Sequence, residues 1–160
     1  MNELLNKESV KRVGEILKKF DSELKIITLD TTARTAKDAA NSLKCELGAI
    51  VKSLVFRTDN NFLICLVAGD KRCSLNKLKK ILNQKDVSMA NANQVKENTG
   101  FSIGGVSPVG HLKKLNIFVD KSLNRFKYIY GAAGHPDCVF KITYSDLIKI
   151  TTGSEKDITE

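Results

Sequence analysis

The feature that most constrains the fold is a pair of apolar runs separated by a short polar turn. The runs AIVKSLVFRT (49–58) and NFLICLVAG (61–69) are dense in β-branched and aromatic residues and flank Asp59-Asn60-Asn61. Such runs on either side of a turn predict a β-hairpin. A hairpin at the centre of a sheet requires antiparallel pairing, so a purely parallel, doubly wound fold is not expected.

Helices and short strands alternate around this hairpin. Apolar spacing and capping residues predict helices over 8–20 and 36–46, in SLNKLKKIL (74–82), and between Asn91 and Gly100, while Ser145 is the predicted cap of a last helical turn. Strands are predicted in LKIITL (24–29), LNIFVD (115–120), KYIYG (127–131) and VFKIT (139–143). The expected fold class is mixed α/β (α+β), with a curled, largely antiparallel central sheet surrounded by short helices. We assign residues 1–150 to one domain and 151–160 to a polar C-terminal tail that we expect to be frayed.

The amino-acid composition excludes only a few classes of function. The 26 Lys and Arg residues exceed the 18 Asp and Glu residues, and the net charge of +8 suits a polyanionic partner such as a nucleic acid. Most of these cations are lysines, however, a bias that genome composition can also produce. The four cysteines lack the spacing of a zinc site, so neither a metal nor another cofactor is expected. Charges throughout the first 20 residues argue against a signal peptide or a membrane span and favour a cytoplasmic protein.

Lys52 is the first residue that points to a site, because it interrupts the most apolar strand. Alternation places Ile50, Lys52 and Leu54 on one face of that strand and Val51, Ser53 and Val55 on the other. A lysine in such a strand either extends its amine to water at a sheet edge or projects into a cavity that binds an anionic or carbonyl group. The residues alone leave both alternatives open.

The second indication is a glycine-rich loop, TGFSIGGVSPVGH (99–111), which has no helical or strand periodicity. Glycines allow the backbone to bring its N–H groups against a ligand, and Pro108 stiffens the turn. We therefore expect Gly104, Gly105, Val106, Ser107 and Pro108 to contact a ligand rather than only to connect two elements. A further cluster, GAAGHP (131–136), contains one of the two histidines, His135, three residues before Cys138. We interpret Cys138 as a buried strand residue rather than as half of a Cys-His pair.

Taken in order, these segments resemble one known family. They are TA-x-x-AA in the 32–40 region, VKSLVF (51–56), AGD (68–70), TGFSIGGVSPVGH (99–111), a strand ending in Asp120, and a glycine-containing strand end before His-Pro. Over residues 24–150 the chain resembles the YbaK-like family, which is related to the editing domain inserted in bacterial prolyl-tRNA synthetases. The resemblance implies hydrolysis of the ester bond of mischarged aminoacyl-tRNA, usually tRNA(Pro).

The resemblance also implies roles for particular residues. Lys52 would be the strand lysine that lies beside the tRNA 3′ end and is needed for deacylation. The amides of the Gly104 loop would hold the aminoacyl group, with Gly131 and His135 also binding substrate; some relatives that clear alanine have a histidine before proline at the position of His135. Relatives that clear cysteine have a tyrosine near the end of the first strand, where this chain has Leu29 and Asp30, so a cysteine-specific assignment is not favoured.

The expected partners are a mischarged tRNA and, through it, prolyl-tRNA synthetase, with no membrane and a monomer as the default. The basic residues chosen as a tRNA docking surface are Lys71, Arg72, Lys77, Lys79, Lys80, Lys113 and Lys114. Two alternatives remain: a non-catalytic module that binds tRNA or associates with a synthetase, and a binder or hydrolase of a small metabolite.

Overall fold

Five α-helices and eight β-strands make up the regular structure within residues 3–30 and 35–160, which the computed structural model describes. The helices are α1 (Glu8–Phe20), α2 (Ala36–Leu43), α3 (Leu75–Leu82), α4 (Ala92–Thr99) and α5 (Tyr144–Thr151). The strands are β1 (Ile26–Thr28), β2 (Val51–Arg57), β3 (Phe62–Ala68), β4 (Ser88–Met89), β5 (Asn116–Asp120), β6 (Ile129–His135), β7 (Cys138–Ile142) and β8 (Ser154–Lys156). Residues 32–34 of the 32–40 motif lie outside the described residues.

The helix ends follow the capping residues of the sequence. Asn91 forms a capping box with Gln94 at the start of α4, and Gly100 ends that helix at a φ of +80°. Thr143, not Ser145, caps α5: its hydroxyl accepts a hydrogen bond from the Asp146 amide, three residues on. The prediction for Ser145 is therefore wrong, and the helix has eight residues rather than one turn.

The strands divide between two sheets. The larger has the order β4-β2-β3-β5-β8, with the predicted antiparallel hairpin β2–β3 at its centre and parallel pairs β3–β5 and β5–β8. The smaller is an antiparallel sheet of order β1-β7-β6, joined to the larger one by a bridge between Ile50 and Tyr130. This architecture confirms the predicted mixed α/β class.

Each face of the β2–β3 hairpin packs against its own core cluster. Val51 and Val55 belong to the larger cluster, which also contains the buried face of α1. Phe56 and Leu78 of α3 belong to a second cluster, against which Leu54 packs. Because the apolar side chains of both faces are buried, the hairpin is fixed in register and provides a rigid wall for anything beside it.

The expectation that residues 151–160 fray is wrong. Ser154–Lys156 forms β8, and Ile158 is fully buried. The buried carboxylate of Asp120 accepts hydrogen bonds from the Ile158 amide at 2.8 Å and from the Thr159 hydroxyl at 3.1 Å. These bonds fix the C-terminal segment because an unpaired buried carboxylate would be strongly unfavourable.

Candidate active site

A cavity of about 290 Å³ lies between β2, the start of α2, the glycine-rich loop and the small sheet. Most of its lining side chains are apolar. The residues that line it are Thr35, Ala36, Ala39, Ile50, Val51, Lys52, Ser53, Leu54, Val55, Met89, Ala90, Val95, Ile103, Gly104, Val106, Tyr130, Ala132, Pro136 and Val139. The cavity is large enough to enclose a small organic group.

The cavity exists because β2 is paired along only part of one edge. On one side β2 pairs with β3 over its whole length. On the other side only Phe56 and Arg57 pair with β4, and Ile50 makes the bridge to Tyr130. Between these contacts the strand faces the cavity, which explains why the consecutive residues 51–55 all line it.

Lys52 lines this cavity, but its ammonium group already has a partner. The Nζ atom donates a hydrogen bond to the main-chain carbonyl of Lys71. Burial lowers the pKa of Lys52 below its ordinary value, and the nearby Cys73 and Asp70 oppose that shift. Lys52 therefore lies in a strand with an open edge and lines a cavity, and its ammonium group is bonded to the main chain rather than extended to water.

The glycine-rich loop packs directly on the turn between β6 and β7. A Cβ atom on Gly105 would lie 3.1 Å from the Cα of His135 and 3.3 Å from the Cδ of Pro136. Gly104 has a φ of +94°, in the region that favours glycine, and faces more open space. The pair Gly104-Gly105 thus brings the loop's main chain to the cavity while seating it against β6.

Polar contacts fix the C-terminal half of this loop. Nε2 of His111 lies 2.6 Å from the Ser107 carbonyl, and Nε of Arg12 donates to the Gly110 carbonyl at 2.7 Å. Burial lowers the pKa of His111, which favours the neutral ring whose Nε2–H can donate to Ser107. The Arg12 guanidinium also lies over the ring of Phe101, 4.7 Å from its centroid. These contacts hold the loop in one arrangement.

Three of the predicted site residues line the cavity: Lys52, Gly104 and Val106. Gly105, Ser107, Pro108, Gly131 and His135 are not among the lining residues. Ser107 is fully buried and its hydroxyl accepts from the Val109 amide, while Pro108 packs where Gly131 leaves room for it.

His135 is not among the lining residues; its neighbour Pro136 is. Nδ1 of His135 accepts a hydrogen bond from the Asp137 amide at 3.1 Å, which fixes the ring beside the β6–β7 turn. Sequence reasoning did not select Ser53 or Tyr130 as site residues, although Ser53 lies inside the motif VKSLVF and Tyr130 directly precedes GAAGHP. The missing information was which edge of β2 is open, because alternation identifies the faces of a strand but not its edges.

The predicted docking cations form two groups. In the first group, Lys71 and Arg72 lie next to Lys52, because the Lys71 carbonyl accepts a hydrogen bond from the Lys52 ammonium group. Three further lysines of this group, Lys77, Lys79 and Lys80, belong to α3. Lys77 pairs with Asp157 at 3.0 Å. In the second group, with Lys114, the Lys113 ammonium lies 3.9 Å from a carboxylate oxygen of Glu97.

None of the four cysteines is among the residues that line the cavity. Cys138 is fully buried in β7, and burial raises its pKa to about 11, as expected of a structural thiol. Cys65 and Cys73 share a hydrogen bond in the second core cluster, which raises the pKa of Cys65 and lowers that of Cys73. Within the described ranges, no group of three or more His, Cys, Asp or Glu side chains is placed to share a metal ion. Nor does any described helix have the length and apolar character to span a bilayer.

The model of the family called aminoacyl-tRNA editing domain matches residues 30–150. The chain belongs to this family. The "Uncharacterized protein YwhH" of Bacillus subtilis (strain 168) is 31% identical over 140 residues, which are 87% of this chain and 88% of the relative. The resemblance noted from the Lys52 and Gly104 motifs is thereby confirmed.

Further relatives of this editing domain are proteins whose descriptions name prolyl-tRNA synthetase or proline--tRNA ligase. A structure described as "a putative trans-editing enzyme for prolyl tRNA synthetase" superposes with a TM-score of 0.91 at 35% identity, covering 96% of this chain and 98% of the other. The proline--tRNA ligase of Caldicellulosiruptor saccharolyticus is 30% identical over 127 residues, 74% of this chain. The chain spans only 22% of that ligase, so the match concerns one part of a much longer enzyme.

Proposed function

We propose that this editing domain is an aminoacyl-tRNA deacylase that acts in trans on mischarged tRNA, specifically tRNA(Pro) carrying a small amino acid such as alanine. The observation that carries the proposal is the 290 Å³ cavity, because it joins Lys52 and Gly104 in one lining of mainly apolar side chains. A small aminoacyl group fits such a space, and the cation of Lys52 at the cavity wall can bind the phosphate or ribose of the tRNA 3′ end that carries it. The similarity to prolyl-tRNA synthetase editing proteins supports tRNA(Pro) as the carrier and that synthetase as an associated partner.

The chemistry needs no covalent nucleophile. An aminoacyl ester is activated, so a positioned water can attack its carbonyl carbon if backbone donors stabilise the oxyanion that develops. The glycine-rich loop lines the cavity at Gly104 and Val106, whose main-chain N–H groups would be the donors, because the Gly105 N–H is already bonded to the Ser102 carbonyl at 3.0 Å. His111 and Arg12 fix the part of the loop that follows before substrate arrives. Preorganised donors of this kind typically account for several kcal/mol of barrier lowering, about 3–4 kcal/mol each.

Lys52 has a separate role in this mechanism. Its ammonium would exchange the Lys71 carbonyl for a phosphate or ribose oxygen of the tRNA 3′ end. Without substrate, the Lys71 carbonyl holds the Lys52 ammonium group near the position in which it would bind tRNA. Lys71 and the residue after it, Arg72, would extend the positive charge from Lys52 toward the tRNA acceptor stem.

The size of the cavity favours small side chains without choosing sharply among them. One methylene in an apolar pocket is worth only about 1–3 kcal/mol of discrimination, and such a pocket rejects an added hydroxyl poorly. We therefore expect alanine to be cleared fastest, with measurable release of serine.

The test is amino-acid release from charged tRNA(Pro) by the wild-type protein and by matched variants. Lys52→Ala should abolish release, because it removes the cation from the cavity wall. Cys138→Ala should stay active, because that thiol is buried in the core of β7 away from the lining. A wild-type protein that leaves every mischarged tRNA(Pro) intact would rule out the deacylase.

One observation favours a second candidate, a non-catalytic tRNA-binding or synthetase-associated module. The Lys52 ammonium is bonded to Lys71 rather than free in the cavity. If that bond persists with tRNA present, the domain would dock the acceptor stem without turnover. Salt-dependent binding of tRNA with no release of amino acid would identify this module.

A further inference from the structure

Position 53 of β2 has main-chain groups that face the cavity. The Val55 carbonyl accepts from the Ala90 amide at 3.0 Å, so the main-chain groups of Val55 point away from β3. Residues two apart in a strand direct their N–H and C=O groups to the same edge, which places those of Ser53 on this side too. Among the described residues, no strand pairs with Ser53 on this edge.

The side chain of Ser53 is a further polar group without a partner at this position. Its Oγ atom is buried and has no hydrogen-bond partner within the described ranges. Alternation puts it on the face of Val51 and Val55, in the lining of the cavity. A buried polar group without a partner costs about 1–3 kcal/mol, so a ligand that hydrogen-bonds at position 53 can offset such a cost.

An aminoacyl ester has the complementary groups on a single residue. Its carbonyl oxygen accepts a hydrogen bond and its α-amino group donates one. The two groups are arranged as the C=O and N–H of a strand residue that pairs with a residue on the neighbouring strand. In an antiparallel ladder, two residues of a hydrogen-bonded pair exchange both N–H···O bonds. One free residue of β2 can therefore hold one amino acid.

We propose that the aminoacyl group of the substrate binds as a one-residue strand on the open edge of β2. Its ester carbonyl accepts from the Ser53 N–H, and its α-amino group donates to the Ser53 C=O. The assignment rests on the proposed deacylase function and adds to it the way in which substrate is oriented.

This pairing also fixes handedness. Side chains of opposed residues in an antiparallel pair lie on the same face of the sheet. An L-aminoacyl side chain therefore enters the apolar region beside Val51 and Val55, whereas a D-aminoacyl side chain is directed to the opposite face, that of Lys52 and Leu54. Binding should favour the L form for this reason.

Main-chain amide exchange measured by NMR on the full chain tests the pairing directly. The probe is 3′-deoxy-3′-(L-alanylamino)adenosine, whose amide replaces the hydrolysable ester. The Leu54 amide is the internal control, because alternation turns it toward its β3 partner Cys65. In the free protein Ser53 should exchange faster than Leu54, and saturating probe should slow Ser53 by about tenfold while leaving Leu54 unchanged.

Adenosine alone and the D-alanyl probe should leave Ser53 unprotected. The inference is overturned if Ser53 already exchanges as slowly as Leu54 in the free protein, or if millimolar L-alanyl probe does not slow it. In Ser53→Ala both main-chain groups remain, so protection should persist; its loss would assign binding to the hydroxyl and overturn the main-chain pairing.

Deacylation by the same preparation separates the two proposals. Release of alanine from tRNA(Pro) without protection of Ser53 refutes the strand-edge pairing alone. Protection of Ser53 without release refutes the deacylase and leaves the pairing in place.

Discussion

The close seating of the glycine-rich loop on β6 makes Gly105→Ala an informative perturbation. The new Cβ atom would lie 3.1 Å from His135 Cα, 3.2 Å from His135 N and 3.3 Å from Pro136 Cδ. Ordinary contacts to a Cβ begin near 3.4 Å, so the loop must retreat by about 0.3 Å. Two of the three atoms are main chain, which cannot swing aside as a flexible side chain would.

Both the stability and the activity should change by a limited amount. Forcing an extra methyl into a packed site costs about 1–3 kcal/mol, and for a chain of this size each kcal/mol lowers the Tm by about 2–4 °C. A displacement of 1 Å can cost about 100-fold in rate, so on a logarithmic scale about 0.3 Å corresponds to roughly a fourfold slower deacylation. Urea unfolding and single-turnover deacylation measure the two effects separately.

Gly104→Ala is the matched control, because its cost has another origin. Its Cβ would meet only Pro136 Cγ, at an ordinary 3.8 Å, but the φ of +94° disfavours any L side chain by about 1–2 kcal/mol. Pro136→Ala removes only the 3.3 Å contact and leaves the two main-chain contacts with His135, so it should relieve Gly105→Ala in part and Gly104→Ala not at all. If Gly105→Ala matches the wild type in both stability and rate, the loop is not seated as described.

Three further predictions concern the rest of the domain. Asp120→Ala should lower the free energy of unfolding by about 3 kcal/mol in urea titrations, because it leaves the buried donors of the C-terminal segment unpaired, and an unchanged midpoint would contradict that role. Because burial lowers the pKa of His111 in the folded protein, the unfolded chain binds its proton first, and stability should fall as the pH drops below about 6.5. In His111→Gln the urea midpoint should depend less on pH between about 7.5 and 5.5, and equal slopes would exclude His111 as the cause. Arg72→Ala should reduce the salt dependence of tRNA binding by about one unit of log–log slope, whereas Lys113→Ala, whose ammonium lies near Glu97, should change it less; the reverse order would relocate the docking surface.

Local patterns were enough to predict most of the secondary structure. The β2–β3 hairpin follows from two dense apolar runs and a polar turn, and α1 and α4 follow from apolar spacing and capping residues. These signals act over a few residues and are little affected by tertiary packing.

Contacts between distant segments were not predictable in the same way. The segment Ser154–Lys156 has no apolar alternation, and it becomes a strand only because β5 offers an edge and the Asp120 carboxylate fixes the chain beyond it. Likewise, the motifs of the site indicated Lys52 and Gly104, but the open edge of β2 at Ser53 depends on where β4 and β6 end. His135, which is expected to bind substrate, lies next to Pro136, and the cavity lining contains Pro136 rather than the histidine.

Deacylation in trans can be measured by incubating the wild-type protein with tRNA(Pro) charged separately with alanine, cysteine, serine, threonine and proline. The wild-type protein should release alanine well above the rate in buffer and serine more slowly, and Lys52→Ala should release neither. Release of none of the five amino acids, or equal release by the wild type and Lys52→Ala, would contradict a deacylase that depends on Lys52.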